Sequence, residues 1–225
     1  MVEKSGIFDM IGPVMIGPSS SHTAGVVRIA RAAIRVLGDQ PDQAIITFYN
    51  SFAKTYEGHG SDRAIIAGLL DFKTDDDKIR TAFDHANEQG LEYTFKSVGN
   101  ASTLHPNTIK MKLTKGERSV EVVGESKGGG VINIAEVDGF NADFSAALHT
   151  LIIKAHDTKG SIANIANILS NDDCNIATMS VSRKGKNDIA CLVIEMDSGL
   201  KPVSLNYLKN LYWITEVIYI PDIDL

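Results

Sequence analysis

Gly17-Pro18-Ser19-Ser20-Ser21-His22-Thr23 runs straight into Ala24–Leu37, and that junction organises the N-terminal part of the chain. The glycine and proline break the chain. Val26, Ile29, Ala30, Ala33, Ile34 and Leu37 then recur at helical spacing, which predicts a helix from about Thr23 to Leu37. Gly38 should end it in a left-handed conformation. A helix start offers unpaired N–H groups and the positive end of the helix dipole, and here hydroxyl donors stand beside them. One serine suffices for a cap. Three in a row plus His22 are a surplus, and point to an anion site built from Ser19, Ser20, Ser21 and Thr23. Upstream, Ile7, Phe8 and Met10 form a short apolar segment, cut by Gly12-Pro13, that should pack under this loop. Arg28, Arg31 and Arg35 share one helix face by spacing, read as a solvated or partner-facing surface.

Downstream, Ala44–Asn50 reads as a strand. Gly58-His59-Gly60-Ser61-Asp62-Arg63 follows, with Ser61 or Asp62 capping a second helix through about Leu70. Glycines on both sides allow a sharp turn that presents the imidazole, so His59 is either a structural hydrogen-bonder or a functional group. Asp75-Asp76-Asp77 suits the first turn of a third helix, Lys78–Gln89, better than a metal site. His85 falls on its polar side. Strands follow at 91–98, 108–114, 118–124 and 131–137, with Lys115-Gly116-Glu117 a hairpin turn. His105 precedes Pro106, in an extended or turn conformation. Gly128-Gly129-Gly130 lacks the Lys-Ser/Thr of a phosphate loop. It is either a strained turn or a bulge at a strand start.

A change of character over Val137–Ala147 marks a domain boundary. Beyond it come a strand (151–156), the turn Asp157-Thr158-Lys159-Gly160, a helix (161–170), two strands (175–183, 188–196), a helix opened by Pro202, and a last strand (217–220). This βαββαβ order is that of a ferredoxin-like sandwich.

The 225 residues are 44% hydrophobic, enough for one large or two small cores. A formal net charge of −6 argues against a nucleic-acid partner. No basic, apolar leader is present, and no apolar run approaches the ~20 residues of a membrane span, so a soluble, cytoplasmic protein is expected. Cys174 and Cys191 are the two cysteines. They suggest neither a disulfide framework nor a zinc site, and cannot by themselves hold an iron–sulfur cluster. No His-Glu-x-x-His spacing supports a metal hydrolase.

The C-terminal part resembles an ACT domain, on its element order and Asp157-x-x-Gly160. That resemblance implies an effector site at Asp157 and Gly160, or a purely dimerising role. The N-terminal part resembles the beta subunit of iron–sulfur-dependent L-serine dehydratases. Phe8-Asp9, then Ile16–Thr23, then Gly58–Ala64 carry the likeness, which extends over essentially the whole chain. This part also resembles the allosteric substrate-binding domain of some phosphoglycerate dehydrogenases. The fold class expected is α+β: an N-terminal α/β sandwich (1–140), allosteric-substrate-binding-like, followed by a ferredoxin-like ACT domain (148–225).

The resemblance implies an alpha subunit that carries a [4Fe–4S] cluster, none of whose ligands come from this chain. It implies L-serine as substrate, with pyruvate and ammonia as products, and a homodimer through the ACT domain. The loop Ser19, Ser20, Ser21 and Thr23 would take the substrate carboxylate. His59 is the first choice of base for the Cα proton and His22 the second. The competing reading is a non-catalytic, regulatory amino-acid-binding protein.

Overall fold

The computed structural model describes residues 13–99, 103–185 and 188–223. The segment with Ile7, Phe8, Asp9, Met10 and Gly12 lies outside them. The chain parts into two compact units between Asp138 and Gly139.

In the first unit, α1 (Gly25–Leu37) precedes β1 (Gln43–Tyr49), α2 (Asn50–Thr55) and α3 (Ser61–Leu69). A 3-10 turn (Asp77–Thr81), α4 (Ala82–Glu88), β2 (Glu92–Val98), β3 (Thr108–Lys115), β4 (Arg118–Gly128) and β5 (Val131–Val137) follow. The strands run in the order β2-β1-β3-β4-β5. β1 is parallel to β2, and the remaining pairs are antiparallel. α1 packs on α3 and on β4. Close approach needs glycine: a Cβ at Gly68 would sit 2.5 Å from Val27 O, and one at Gly124 2.4 Å from Ile29 Cγ2.

Covered on both sides, α1 has almost no solvated face, and this corrects the reading of its arginines. Arg28 and Arg31 are buried. Arg28 Nη1 donates to Gly130 O at 2.6 Å. Arg31 Nε and Arg35 Nη2 close on the two oxygens of Asp71 at 3.0 and 2.6 Å. Buried charges persist only with partners, and these lie 102 and 40 residues along the chain from Arg28 and Arg31. Gly38 ends α1 in the left-handed region, as expected. Gly128, Gly129 and Gly130 all take positive φ in the β4–β5 turn, beside a register shift at Ser126/Gly128. Turn and bulge thus coincide.

The second unit holds β6 (Phe140–Phe144), β7 (His149–His156), α5 (Ser161–Asn171), β8 (Ile176–Arg183), β9 (Ile189–Met196), α6 (Pro202–Lys209) and β10 (Ile214–Ile220). Its sheet order is β10-β7-β9-β8, antiparallel throughout. Leu151 and Ile153 of β7, Leu192 and Ile194 of β9, Ile165 and Leu169 of α5, and Leu208 of α6 form one core. Ile162 of α5 is 46% exposed. β6 lies where only a boundary was expected; its carbonyls accept from Ser180 and Ser182 of β8.

Candidate active site

The loop before α1 is not a plain α-helical start. Ser20–Ala24 forms a single π turn, closed by the Gly25 N–H donating to Ser20 O. A Cβ at Gly25 would sit 2.2 Å from Ser126 Oγ, so only glycine fits there. The wide turn leaves carbonyls to satisfy, and two fully buried serines do so. Ser126 Oγ donates to Ser21 O at 3.0 Å, and Ser61 Oγ donates to His22 O at 2.9 Å. The loop is therefore clasped by β4 on one side and α3 on the other. Ser61 is not the cap of α3: Gly60 precedes that helix at φ 70° with no side-chain cap.

Ser19 is the cap of the π turn. Its backbone is extended, and its Oγ accepts from the His22 N–H at 3.3 Å. The same oxygen lies 3.3 Å from His22 Nδ1. His22 Nε2 lies 3.1 Å from Thr55 Oγ1, and the Thr55 hydroxyl donates to Ser51 O at 2.9 Å. With the Thr55 proton committed, Nε2 must carry the hydrogen and donate to Thr55. Nδ1 then accepts from the Ser19 hydroxyl. These bonds specify a neutral imidazole of one tautomer. Burial, and secondarily the neighbouring His59, hold its pKa below the usual histidine value.

His59 meets His22 edge to face, with ring centroids 4.6 Å apart and planes at 85°. Phe52 packs edge-on to His22 at 4.8 Å. The turn is fixed through the backbone, His59 N–H to Thr55 O at 3.0 Å, while the His59 side chain is exposed. It lines a cavity of about 250 Å³ with Gly17, Pro18, Thr23, Arg63 and Arg80. That is just under the ~300–1,000 Å³ typical of small-molecule pockets. Thr23 is 2% exposed, and its Oγ1 has no hydrogen-bond partner among the described residues.

The structure thus brings His22, His59 and Thr23 together. Ser19 joins them through His22, while Ser20 and Ser21 are half-buried in the π turn and are not among the cavity's lining residues. Sequence reading missed Ser126, Thr55, Arg63 and Arg80. Arg63 stood inside the Gly58–Arg63 motif; a single serine or threonine in a strand or helix carries no such signal. His105 is structural, its Nδ1 accepting from Asn107 N–H at 3.2 Å. Its pKa is lowered, chiefly by burial.

In the second unit, Asp157 accepts from Arg183 Nη1 at 2.6 Å, and Gly160 precedes α5 at φ 82°. A cavity of about 430 Å³ between α5 and α6, walled by Asn164, Asn167, Asn171, Ser204 and Tyr207, includes neither residue and no charged side chain. Cys174 and Cys191 are buried and not joined in a disulfide. No group of three or more His, Cys, Asp or Glu among the described residues could hold a metal ion.

Residues 6–136 match the model of the serine dehydratase beta chain family. The chain belongs to that family. It is 43% identical over 216 residues to the probable L-serine dehydratase, beta chain, of Bacillus subtilis (strain 168), covering 96% of this chain and 98% of that one. It is 34% identical over 195 residues to the L-serine dehydratase, beta chain, of Peptoniphilus asaccharolyticus, covering 86% and 87%. D-3-phosphoglycerate dehydrogenase of Bacillus subtilis is 29% identical over 195 residues, 83% of this chain and 35% of that protein. The ACT domain from GTP pyrophosphokinase of Chlorobium tepidum overlays 32% of this beta chain and 95% of that domain, with 19% identity and a TM-score of 0.27. The βαββαβ description of the second unit rests on its own strand pairing.

Proposed function

We propose that this beta chain supplies one wall of the active site that converts L-serine to pyruvate and ammonia. The observation that carries the reading is His59: an imidazole on a glycine-flanked turn, beside a histidine locked neutral, facing a cavity that also holds a buried, unpaired hydroxyl. An imidazole ordinarily titrates near neutrality and suits general-base work. His59 takes the Cα proton of L-serine. The electron pair left at Cα forms the Cα–Cβ double bond as the β-hydroxyl departs with the Cβ–O electron pair and takes up a proton to become water. The resulting enamine tautomerises to an imine, and water hydrolyses it to pyruvate and ammonia. His22 positions His59 through the ring contact and, kept neutral by Ser19 and Thr55, does not compete for the proton.

The residues of this chain do not fit an iron–sulfur cluster. Its two cysteines are buried in the second unit, and the described residues offer no ligand group. On this reading a [4Fe–4S] cluster belongs to an alpha subunit, and the beta chain contributes the imidazoles and the Thr23 hydroxyl. The second unit serves as an ACT domain that pairs copies of the chain or binds an effector near Asp157 and Gly160. Among the described residues no helix is long and apolar enough to cross a membrane. The test is an anaerobic assay of the co-purified alpha–beta complex. Pyruvate and ammonia should form from L-serine in equal amounts. A complex that binds L-serine without consuming it would make this chain regulatory.

A further inference from the structure

The cavity beside His59 has an unusual charge balance. Among the described residues its walls carry two guanidinium groups, Arg63 and Arg80, one imidazole and one hydroxyl, and no carboxylate. The chain as a whole is acidic, at −6. Arginines elsewhere are committed: Arg28 to a carbonyl, Arg31 and Arg35 to Asp71, and Arg183 to Asp157. The carboxylate beside Arg63 is that of Asp62, which takes the Arg63 backbone N–H at 2.8 Å and feels the guanidinium's charge but is not among the cavity's lining residues. Arg80 meets Asp77 at 4.0 Å, with the two side chains 72% and 83% exposed. A surface pair of that kind contributes little.

We infer that Arg63 and Arg80 form the subsite for the α-carboxylate of the substrate. This inference rests on the L-serine reading above and deepens it. A guanidinium presents a planar fork that matches a carboxylate with two parallel hydrogen bonds. Arg63 also lies in the first turn of α3, where the helix dipole favours negative charge. His59 and Arg63 are four residues apart around the helix start. Both residues line the same cavity, so a carboxylate held by Arg63 and a base on His59 would share one site. The buried Thr23 hydroxyl, in the same wall and without a hydrogen-bond partner among the described residues, is a second group open to a polar partner. The role expected of Ser19, Ser20 and Ser21 thus moves to the arginines: the Ser19 hydroxyl is already engaged by His22. The ligand class that follows is a small amino acid with a free carboxylate.

The experiment compares the alpha–beta complex carrying wild-type, Arg63→Met, Arg63→Lys and Arg80→Met beta chains. Each Met variant should raise KM for L-serine about 10- to 150-fold, the worth of one hydrogen bond to a charged group. kcat should stay within about threefold, because binding lost equally from ground and transition states leaves it unchanged. Arg63→Lys should recover part of the loss by restoring charge without the fork. Unchanged KM in both Met variants, or a fall in kcat at unchanged KM, overturns the inference. Arg80 is 72% exposed on a 3-10 turn, so Arg80→Met decides the matter even where Arg63→Met fails to assemble. A wild-type complex that forms no pyruvate from L-serine defeats the L-serine reading itself, before any variant is compared.

Discussion

Gly60 and Gly160 are the same device used twice. Each is left-handed, at φ 70° and 82°, each precedes a serine that opens a helix, and neither helix has a side-chain cap. A Cβ at either glycine would meet nothing within 4 Å. Their surroundings differ. After Gly60, Ser61 is fully buried and holds His22 O, and His59 and Arg63 line a cavity in which no carboxylate is found among the described residues. Before Gly160, Asp157 is already neutralised by Arg183, and the Ser161 N–H turns back to Thr158 O at 3.3 Å. A glycine at a helix start sets a shape; chemistry requires polar groups nearby that the fold itself leaves unmatched.

Substitutions at the two turns probe this difference. His59→Ala should lower kcat of the alpha–beta complex by about 10²–10⁴, the usual worth of a general base, with the complex still assembled. Unchanged kcat would remove the base from the Gly60 turn. Ser61→Ala removes the hydroxyl that donates to His22 O and should cost about 0.5–1.5 kcal/mol in urea unfolding of the full chain. Ser161→Ala, at a half-exposed position, should stay within about 0.5 kcal/mol.

Gly60→Ala and Gly160→Ala should each cost about 1–2 kcal/mol for forcing alanine into left-handed backbone. Only Gly60→Ala should also impair turnover, by moving His59. Equal losses of activity from the two would erase the distinction. The smallest effect concerns pH. The folded-state pKa of His22 lies below its unfolded value, so the unfolded chain binds the proton more readily. Its contribution to stability is full above the ordinary imidazole pKa of about 6.5 and is lost as pH falls through the lower folded value. The urea midpoint of the full chain should fall on acidification from neutrality, and His22→Asn should flatten that slope.

Local patterns made much of the fold legible. The alternation of β3 and β4, the glycine that ends α1 and the proline that opens α6 each act on their own neighbours, and the structure keeps them. Long-range partners were not legible. Arg28 and Arg31 look solvated by spacing, yet α1 is covered by α3 and the sheet, and distant groups receive their charges. α2 begins on Asn50 at φ 51°, a conformation its sequence does not announce. Ser126 matters because the π turn offers it a carbonyl. Within the candidate site, His22, His59 and Thr23 stood out because unusual residue types lay at a chain break. Arg63 and Arg80 could be told apart from other arginines only once the carboxylate partners of Arg31, Arg35 and Arg183 were placed.

Everything proposed for the His59 cavity supposes that this polypeptide is one half of an enzyme and does not hold the cluster. The decisive experiment is anaerobic incubation of the purified full-length chain with iron, sulfide and L-serine, followed by gel filtration and assays for bound iron, acid-labile sulfide and pyruvate. The chain alone should retain no cluster and form no pyruvate. A chain that keeps iron and sulfide, or that deaminates L-serine unaided, would refute that division of labour.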